Sequence, residues 1–224
     1  VTPPETAPAR SPRRLVVTDV DSTFIQQEVI ELLAEHAGTR DQVAAVTERA
    51  MRGELDFAAS LRERVATLRG VPVTALDEVR AAVRLSPGAA ELVAECQRRG
   101  WAFGLVSGGF EEIVRPLAAG LGIDRVRANR LEIADGALTG RTLGPVIDRG
   151  VKAETLRAWA AEEGVDLADT VAVGDGANDL DMLGVAGVGI AYRAKPVVRA
   201  QADHAIEDRL DEVLAIVDTL TPAR

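Results

Sequence analysis

Among its 224 residues the chain has a single cysteine, Cys96, so an internal disulfide is excluded. A reducing, cytoplasmic setting is the simpler inference. Long apolar runs are also missing: none approaches the ~18 residues that a membrane-spanning helix requires. Cations are in deficit, with 26 Lys and Arg against 35 Asp and Glu and a formal net charge of −9. That balance argues against nucleic acid or an anionic membrane surface as the main partner. An anionic substrate would therefore need a local cation to reverse the field at its site. Only two histidines occur, His36 and His204, and both lie outside the polar clusters described below. What remains is 47% hydrophobic and 27% charged, which suits a globular protein with a sizeable core. The length allows one large domain, or one domain with a smaller insertion.

Residues 1–13 are rich in proline and arginine and read as a disordered tail. Arg13-Arg14 suggests a twin-arginine signal, but the apolar run behind it is broken at Thr18 and Asp19. A signal needs an apolar region of roughly 7–15 residues, so the segment reads as a tail. A chain that starts at valine reads as trimmed or as a fragment.

The organising stretch is Asp19-Val20-Asp21-Ser22-Thr23, which follows the apolar run Leu15-Val16-Val17-Thr18. The run reads as a buried strand. Two carboxylates spaced i, i+2 at a strand end project to one side. At close range they repel, which implies a shared proton, a metal ion or both. The alternative is a pair of exposed loop aspartates, and other parts of the chain must decide.

Residues 26–83 contain no convincing strand but four helical patterns, Gln26 to Ala37, Asp41 to Met51, Phe57 to Leu68 and Thr74 to Val83. One βαβ crossover needs a single helix, so the surplus predicts a helical cap inserted over the strand-end site. The core is then 14–25 and 84–224. Pro87 opens a helix to Arg99, and Trp101 to Val106 reads as a second strand ending at Ser107-Gly108-Gly109. A helix from Glu111 to Leu121 precedes a hairpin whose turn is Asp135-Gly136. Lys152 to Glu163 reads as a helix, and Thr170 to Val173 as a strand running into Gly174-Asp175-Gly176-Ala177-Asn178-Asp179. Two short strand–helix units, ending near Gln201 and Leu220, finish the chain. Strands alternating with helices predict an α/β fold with a doubly wound, mainly parallel sheet.

In such a sheet three polar strand ends share one edge. Asp19, Asp21, Asp175 and Asp179 would gather four carboxylates in a small region, and all-oxygen ligands favour a hard cation such as Mg²⁺. Ser107 with free N–H groups of Gly108 and Gly109 would form a donor nest for a phosphate oxygen. Lys152 would add a second positive charge.

These clusters resemble, in order and spacing, the four motifs of the haloacid dehalogenase superfamily of aspartate-based phosphatases. The likeness runs from about Leu15 to about Ile206 and extends, through Glu28, Arg64 and their surroundings, to the phosphoserine-hydrolysing members. It implies a Rossmann-like core and hydrolysis of a small phosphomonoester, O-phospho-L-serine, in serine biosynthesis. It implies Asp19 as nucleophile forming an aspartyl-phosphate, Asp21 as general acid and base, and Lys152 as charge partner. Mg²⁺ would be held by Asp19, Asp175 and the main-chain carbonyl of Asp21, supported by Asp179. Substrate would be bound by Glu28, Met51, Phe57, Arg64, Ser107, Gly108, Gly109, Lys152 and Asn178.

Several of these residues have a plainer reading. Thr23 braces the loop or is an ordinary turn residue. Glu28 binds the substrate ammonium or favours the dipole of its helix. Met51 and Phe57 line a pocket or are plain core. Arg64 falls within the stripe Phe57, Leu61, Val65, Leu68, whereas Arg62 points nearly opposite. An arginine there needs a partner: a substrate carboxylate, or a glutamate of the cap. Two rival functions remain, a related small-molecule phosphatase or phosphotransferase, and a phospho-acceptor signalling receiver domain. The i, i+2 aspartates and the long helical insertion argue against the receiver. Oligomeric state is not legible.

Overall fold

The computed structural model describes residues 13–51 and 54–220, with the side chain of Met51 outside the described set. The expected disordered tail, residues 1–13, lies outside it except for Arg13.

Among the described residues seven strands form one sheet: β1 (Leu15–Thr18), β2 (Ala102–Phe110), β3 (Arg125–Ala134), β4 (Ala137–Leu143), β5 (Thr170–Gly174), β6 (Val188–Tyr192) and β7 (His204–Ile206). Their order is β4-β3-β2-β1-β5-β6-β7, and every pairing is parallel except β3 with β4. The expected doubly wound, mainly parallel α/β fold is the one found. β1 is central because all four of its residues are buried, which only a strand covered on both faces tolerates. Its side chains alternate between two cores. Leu15 and Val17 pack with Leu156, Met182, Leu183 and Val198 on one face. Val16 packs with Leu33, Leu92, Ile113 and Val213 on the other.

The connections run from β1 to one side through β2 and β3, then back across to β5, β6 and β7. The switch in direction opens a crevice at the carboxyl end of β1, the place where open α/β sheets bind ligands.

Between β1 and β2 lie α1 (Val29–Ala37), α2 (Arg40–Met51), α3 (Phe57–Ala66), α4 (Thr74–Ala82) and α5 (Ala89–Arg98). An antiparallel bridge of Ile25 with Leu85 pins the outgoing and returning chain together at the base of the first four. α1 starts at Val29 rather than Gln26, because the backbone of Gln26 bonds Arg84 and that of Gln27 accepts from Ser22. Asp56 caps α3 by accepting from the Ala59 N–H at 2.6 Å. Cys96, on α5, is fully buried, and burial pushes its thiol up to about 12.

The remaining helices are α6 (Glu111–Gly120), α7 (Arg149–Glu163), α8 (Leu180–Val185), α9 (Pro196–Arg199) and α10 (Glu212–Leu220). α7 begins three residues before Lys152, because Asp148 caps it by accepting from the Val151 N–H at 2.9 Å. α8 is not evident in the sequence pattern: it is six residues long and grows straight out of the polar loop after β5. The β3–β4 turn has left-handed Asp135 and Gly136, φ 50° and 76°, as a two-residue hairpin requires.

Candidate active site

The loop after β1 sets the geometry. Asp19 continues the strand in extended backbone and donates its N–H to Val173 O at 2.9 Å. Asp21 is also extended, and Ser22 then turns left-handed at φ 59°, an uncommon state for a non-glycine residue. The loop closes on itself through the Ile25 N–H to Val20 O bond at 2.9 Å. Both aspartates thereby face one cavity of about 430 Å³, within the range of small-molecule sites.

Behind Asp19 stands Lys152, fully buried, with Nζ 2.6 Å from Asp19 Oδ1 and 2.6 Å from Asp179 Oδ1. Asp179 spends its other oxygen on the N–H groups of Asp175 and Gly176, at 3.2 and 3.0 Å. It therefore braces both Lys152 and the loop after β5. Thr23 Oγ1 donates to Asp175 Oδ1 at 3.1 Å and ties the first loop to that one.

Asp19, Asp175 and Asp179 each offer a carboxylate oxygen, all within 4.8 Å of one another. One ammonium faces these three carboxylates. Burial raises the Lys152 problem first, by disfavouring its charge, but Asp179 and Asp19 outweigh it and hold its pKa above the usual value. The carboxylates remain under-compensated: burial and Asp179 push Asp19 upward against the pull of Lys152, and they push Asp175 up to about 6. An all-oxygen triad with two of its three members buried and short of positive charge fits a hard divalent cation. With both oxygens of Asp179 already engaged, Asp19 and Asp175 are the carboxylates with room for it.

Asp21 differs. Its Oδ2 accepts a long 3.4 Å bond from the Val29 N–H, and its Oδ1 is sealed from solvent without a hydrogen-bond partner although the residue as a whole keeps some exposed surface. Burial first, and Glu28 second, push its carboxyl up to about 8. Asp21 lies against Gly109, where a Cβ would fall 2.9 Å from Oδ2.

The cradle after β2 departs from the sequence expectation. β2 extends through Gly108 and Gly109 to Phe110, which pairs with Asn129. The Gly109 N–H is not free: it donates to Ser107 Oγ at 2.8 Å. Ser107 is buried, and with its oxygen accepting, its hydroxyl proton is the donor left over. Asn129 holds the same segment, donating to Gly108 O at 2.8 Å while accepting from the Ile147 N–H at 2.9 Å.

The facing wall comes from the helical segment. Phe57 lies over Gly108, where a Cβ would meet its ring at 2.9 Å. Arg64 lines the cavity with Glu28 and Asp21 and is half-buried; Nε reaches only Ser60 O, at 3.3 Å. No carboxylate among the described residues forms an ion pair with it, so the alternative of a glutamate partner is not what the structure holds. Burial lowers its pKa, opposed by Glu28, Asp21 and Glu31. Arg62 is exposed. Glu28 precedes α1 and accepts from Ser22 Oγ at 2.6 Å rather than capping the helix.

Thus Asp19, Asp21, Glu28, Phe57, Arg64, Gly108, Gly109, Asp175 and Asn178 surround one cavity. Ser107, Thr23, Lys152 and Asp179 are buried beside it. Met51 as a pocket residue lies outside the described side chains. Two cations that the sequence reading did not assign to the site line the cavity. Arg149 lines the cavity while pairing with Asp181 at 2.7 Å, and Lys195 lines it with its N–H on Asp175 O at 3.3 Å. Lys195 follows β6, so the rule that strand ends share one edge was the signal for it.

The profile of the haloacid dehalogenase-like hydrolases matches residues 16–184, and the chain belongs to that family. Particular relatives are closer still. The chain is 54% identical over 205 residues to a phosphoserine phosphatase of Streptococcus thermophilus, covering 91% of this chain and 95% of that one. It is 55% identical over 206 residues to a phosphoserine phosphatase of Mycobacterium tuberculosis, with 92% of this chain aligned. It spans only about half the length of that relative, 50%. Among solved structures, a phospho-aspartyl intermediate analogue of phosphoserine phosphatase superposes with a TM-score of 0.86 at 40% identity, covering 92% of this chain and 99% of that one.

Proposed function

We propose that this chain is a Mg²⁺-dependent phosphatase that hydrolyses O-phospho-L-serine to L-serine and phosphate through an aspartyl-phosphate, as the last step of serine biosynthesis in the cytoplasm. The observation that carries the reading is the contrast between two aspartates in one cavity. Asp19 touches a buried ammonium and belongs to a triad suited to a cation. Asp21 stands outside that triad, and its carboxyl is pushed up first by burial and then by Glu28. One is prepared as a nucleophile and the other as an acid. The high identity to phosphoserine phosphatases supports the same substrate.

In this reading an Asp19 oxygen attacks phosphorus and the phosphorus–oxygen bond to serine breaks. Asp21 gives its proton to the departing serine oxygen, then as a carboxylate takes a proton from the water that attacks the phosphoenzyme. Lys152 stays against Asp19 and spreads the charge of each transition state. Asp19, Asp175 and the Asp21 carbonyl would hold Mg²⁺, which when bound offsets the repulsion between nucleophile and phosphate. The Ser107 hydroxyl and Asn178 donate to the phosphoryl group. Arg64 takes the substrate carboxylate in a bidentate pair, and Glu28 the ammonium. Residues 26–83 act as a cap over a core of 14–25 and 84–224.

The test is phosphate release from a panel of phosphorylated amino acids and sugars, with and without Mg²⁺. Preferred turnover of phosphoserine, lost in chelator, is expected. Full activity without metal would overturn the cofactor, and a preferred sugar phosphate would overturn the substrate. Retention of one phosphoryl group per chain, without turnover, would favour a receiver-like role.

A further inference from the structure

α3, which carries Phe57 and Arg64, is fastened to the core sheet at one end by a backbone seam. The segment after the helix runs along the outer edge of β4. Gly70 N–H donates to Leu138 O at 2.8 Å, Leu138 N–H to Val71 O at 2.8 Å, and Val73 N–H to Gly136 O at 2.9 Å. Leu68, Val71, Leu131 and Leu138 are buried together beneath it. An edge strand that would otherwise offer unpaired backbone groups is thus used to hold the helix. At Gly140 the approach is closest. A Cβ there would stand 3.1 Å from Ala66 O and 3.1 Å from Arg69 Cβ, and Ala66 is the last residue of α3.

We propose that the β3–β4 hairpin is a specificity-determining element, and that Gly140 is a positioning residue acting through Arg64. The missing side chain lets the last turn of α3 settle against β4, and this contact sets where the guanidinium two residues earlier meets the cavity. Arg64 needs such help, since among the described residues its side chain is anchored by a single 3.3 Å bond, to Ser60 O within its own helix. The inference rests on the reading that Arg64 receives the substrate carboxylate. A shift of α3 by a few tenths of an ångström would misplace that contact while leaving Asp19, Asp21 and Lys152, which sit on other elements, in position. A misplacement of ~1 Å costs up to ~100-fold in rate.

The test compares Gly140→Asn with Gly136→Asn. Both positions are left-handed, φ 79° and 76°, a state asparagine tolerates better than other L residues. A Cβ at Gly136 meets nothing within 4 Å, so only the first substitution pushes on α3. Kcat/KM is measured with phosphoserine and with p-nitrophenyl phosphate, which has no carboxylate, in wild-type and Arg64→Ala backgrounds. Gly140→Asn should lower the phosphoserine to aryl phosphate ratio about tenfold or more. Gly136→Asn should leave the ratio within about twofold, and in the Arg64→Ala background Gly140→Asn should no longer move it. A ratio unchanged by Gly140→Asn while Arg64→Ala lowers it would overturn the seam proposal alone. A ratio untouched by Arg64→Ala would overturn the Arg64 reading on which it rests. Equal loss on both substrates with a lower Tm would make Gly140 a folding residue and also overturn it.

Discussion

Lys152 Nζ lies 2.6 Å from Asp19 Oδ1 across 133 positions of sequence, and the two side chains are 0% and 6% exposed. A buried pair of this kind contributes little net stability, but removing one partner leaves an uncompensated charge. Here Lys152 pairs with two carboxylates, Asp19 and Asp179, and Asp175 lies beside them, so the ammonium is the centre on which the site balances.

Lys152→Met should therefore destabilise the metal-free protein by about 3–5 kcal/mol. Added Mg²⁺ should recover part of that loss, because a cation bound to the folded triad shifts the folding equilibrium. Denaturant midpoints with and without Mg²⁺ check this. An unchanged midpoint in the variant would show that the pair does not hold the site together.

Asp19→Asn should abolish the phosphoenzyme and cost several orders of magnitude in rate, since uncatalysed monoester hydrolysis is extremely slow. Asp21→Asn should still form it from a substrate with a good leaving group, but hydrolyse it slowly. Acid quenching and peptide mapping locate the phosphoryl group. Recovery on Ser107 in place of Asp19 would refute the assignment.

The Asp21 carboxyl gives a pH dependence of defined sign. Its pKa rises from 3.8 to about 8 on folding, for burial first and Glu28 second. Between those values the folded chain holds a proton that the unfolded chain releases. The stability contributed by the neutral carboxyl is full below the unfolded value and is lost as pH rises through the folded value. In metal-free buffer the wild type should lose Tm relative to Asp21→Asn between pH 5 and pH 9. A Tm difference constant over that range would mean that Asp21 is not held protonated.

Arg64→Ala should weaken catalysis on phosphoserine by roughly 2–5 kcal/mol, the scale for truncating one partner of a desolvated charge pair. A small aryl phosphate should lose much less. Arg64→Lys should fall between, keeping the charge without the planar fork. Arg62, which is exposed, serves as the control. Equal losses on both substrates would assign Arg64 a structural role.

The sequence by itself determined what local chemistry determines. The buried run Leu15-Val16-Val17-Thr18, the four helical patterns of 26–83 and the Asp135-Gly136 turn were legible because each rests on periodicity or on the φ of one or two residues. The doubly wound sheet followed from the alternation of those elements. The polar strand ends were legible because a parallel sheet places such ends on one edge, and Asp19, Asp21, Gly108, Gly109, Asp175 and Asn178 do share one cavity. What only the tertiary structure decided were contacts between residues far apart in sequence. The pattern did not reveal that Asp179 divides its oxygens between Lys152 and the 175–176 backbone, or that the Gly109 N–H is taken by Ser107. Nor did it reveal α8, too short for a periodic signal, or the cavity positions of Arg149 and Lys195. The raised pKa of Asp21 in the metal-free chain also depended on packing. Its carboxyl is desolvated by neighbours from separate segments, and a pKa is set by the solvent and charge around a group, which exist only once the chain is folded.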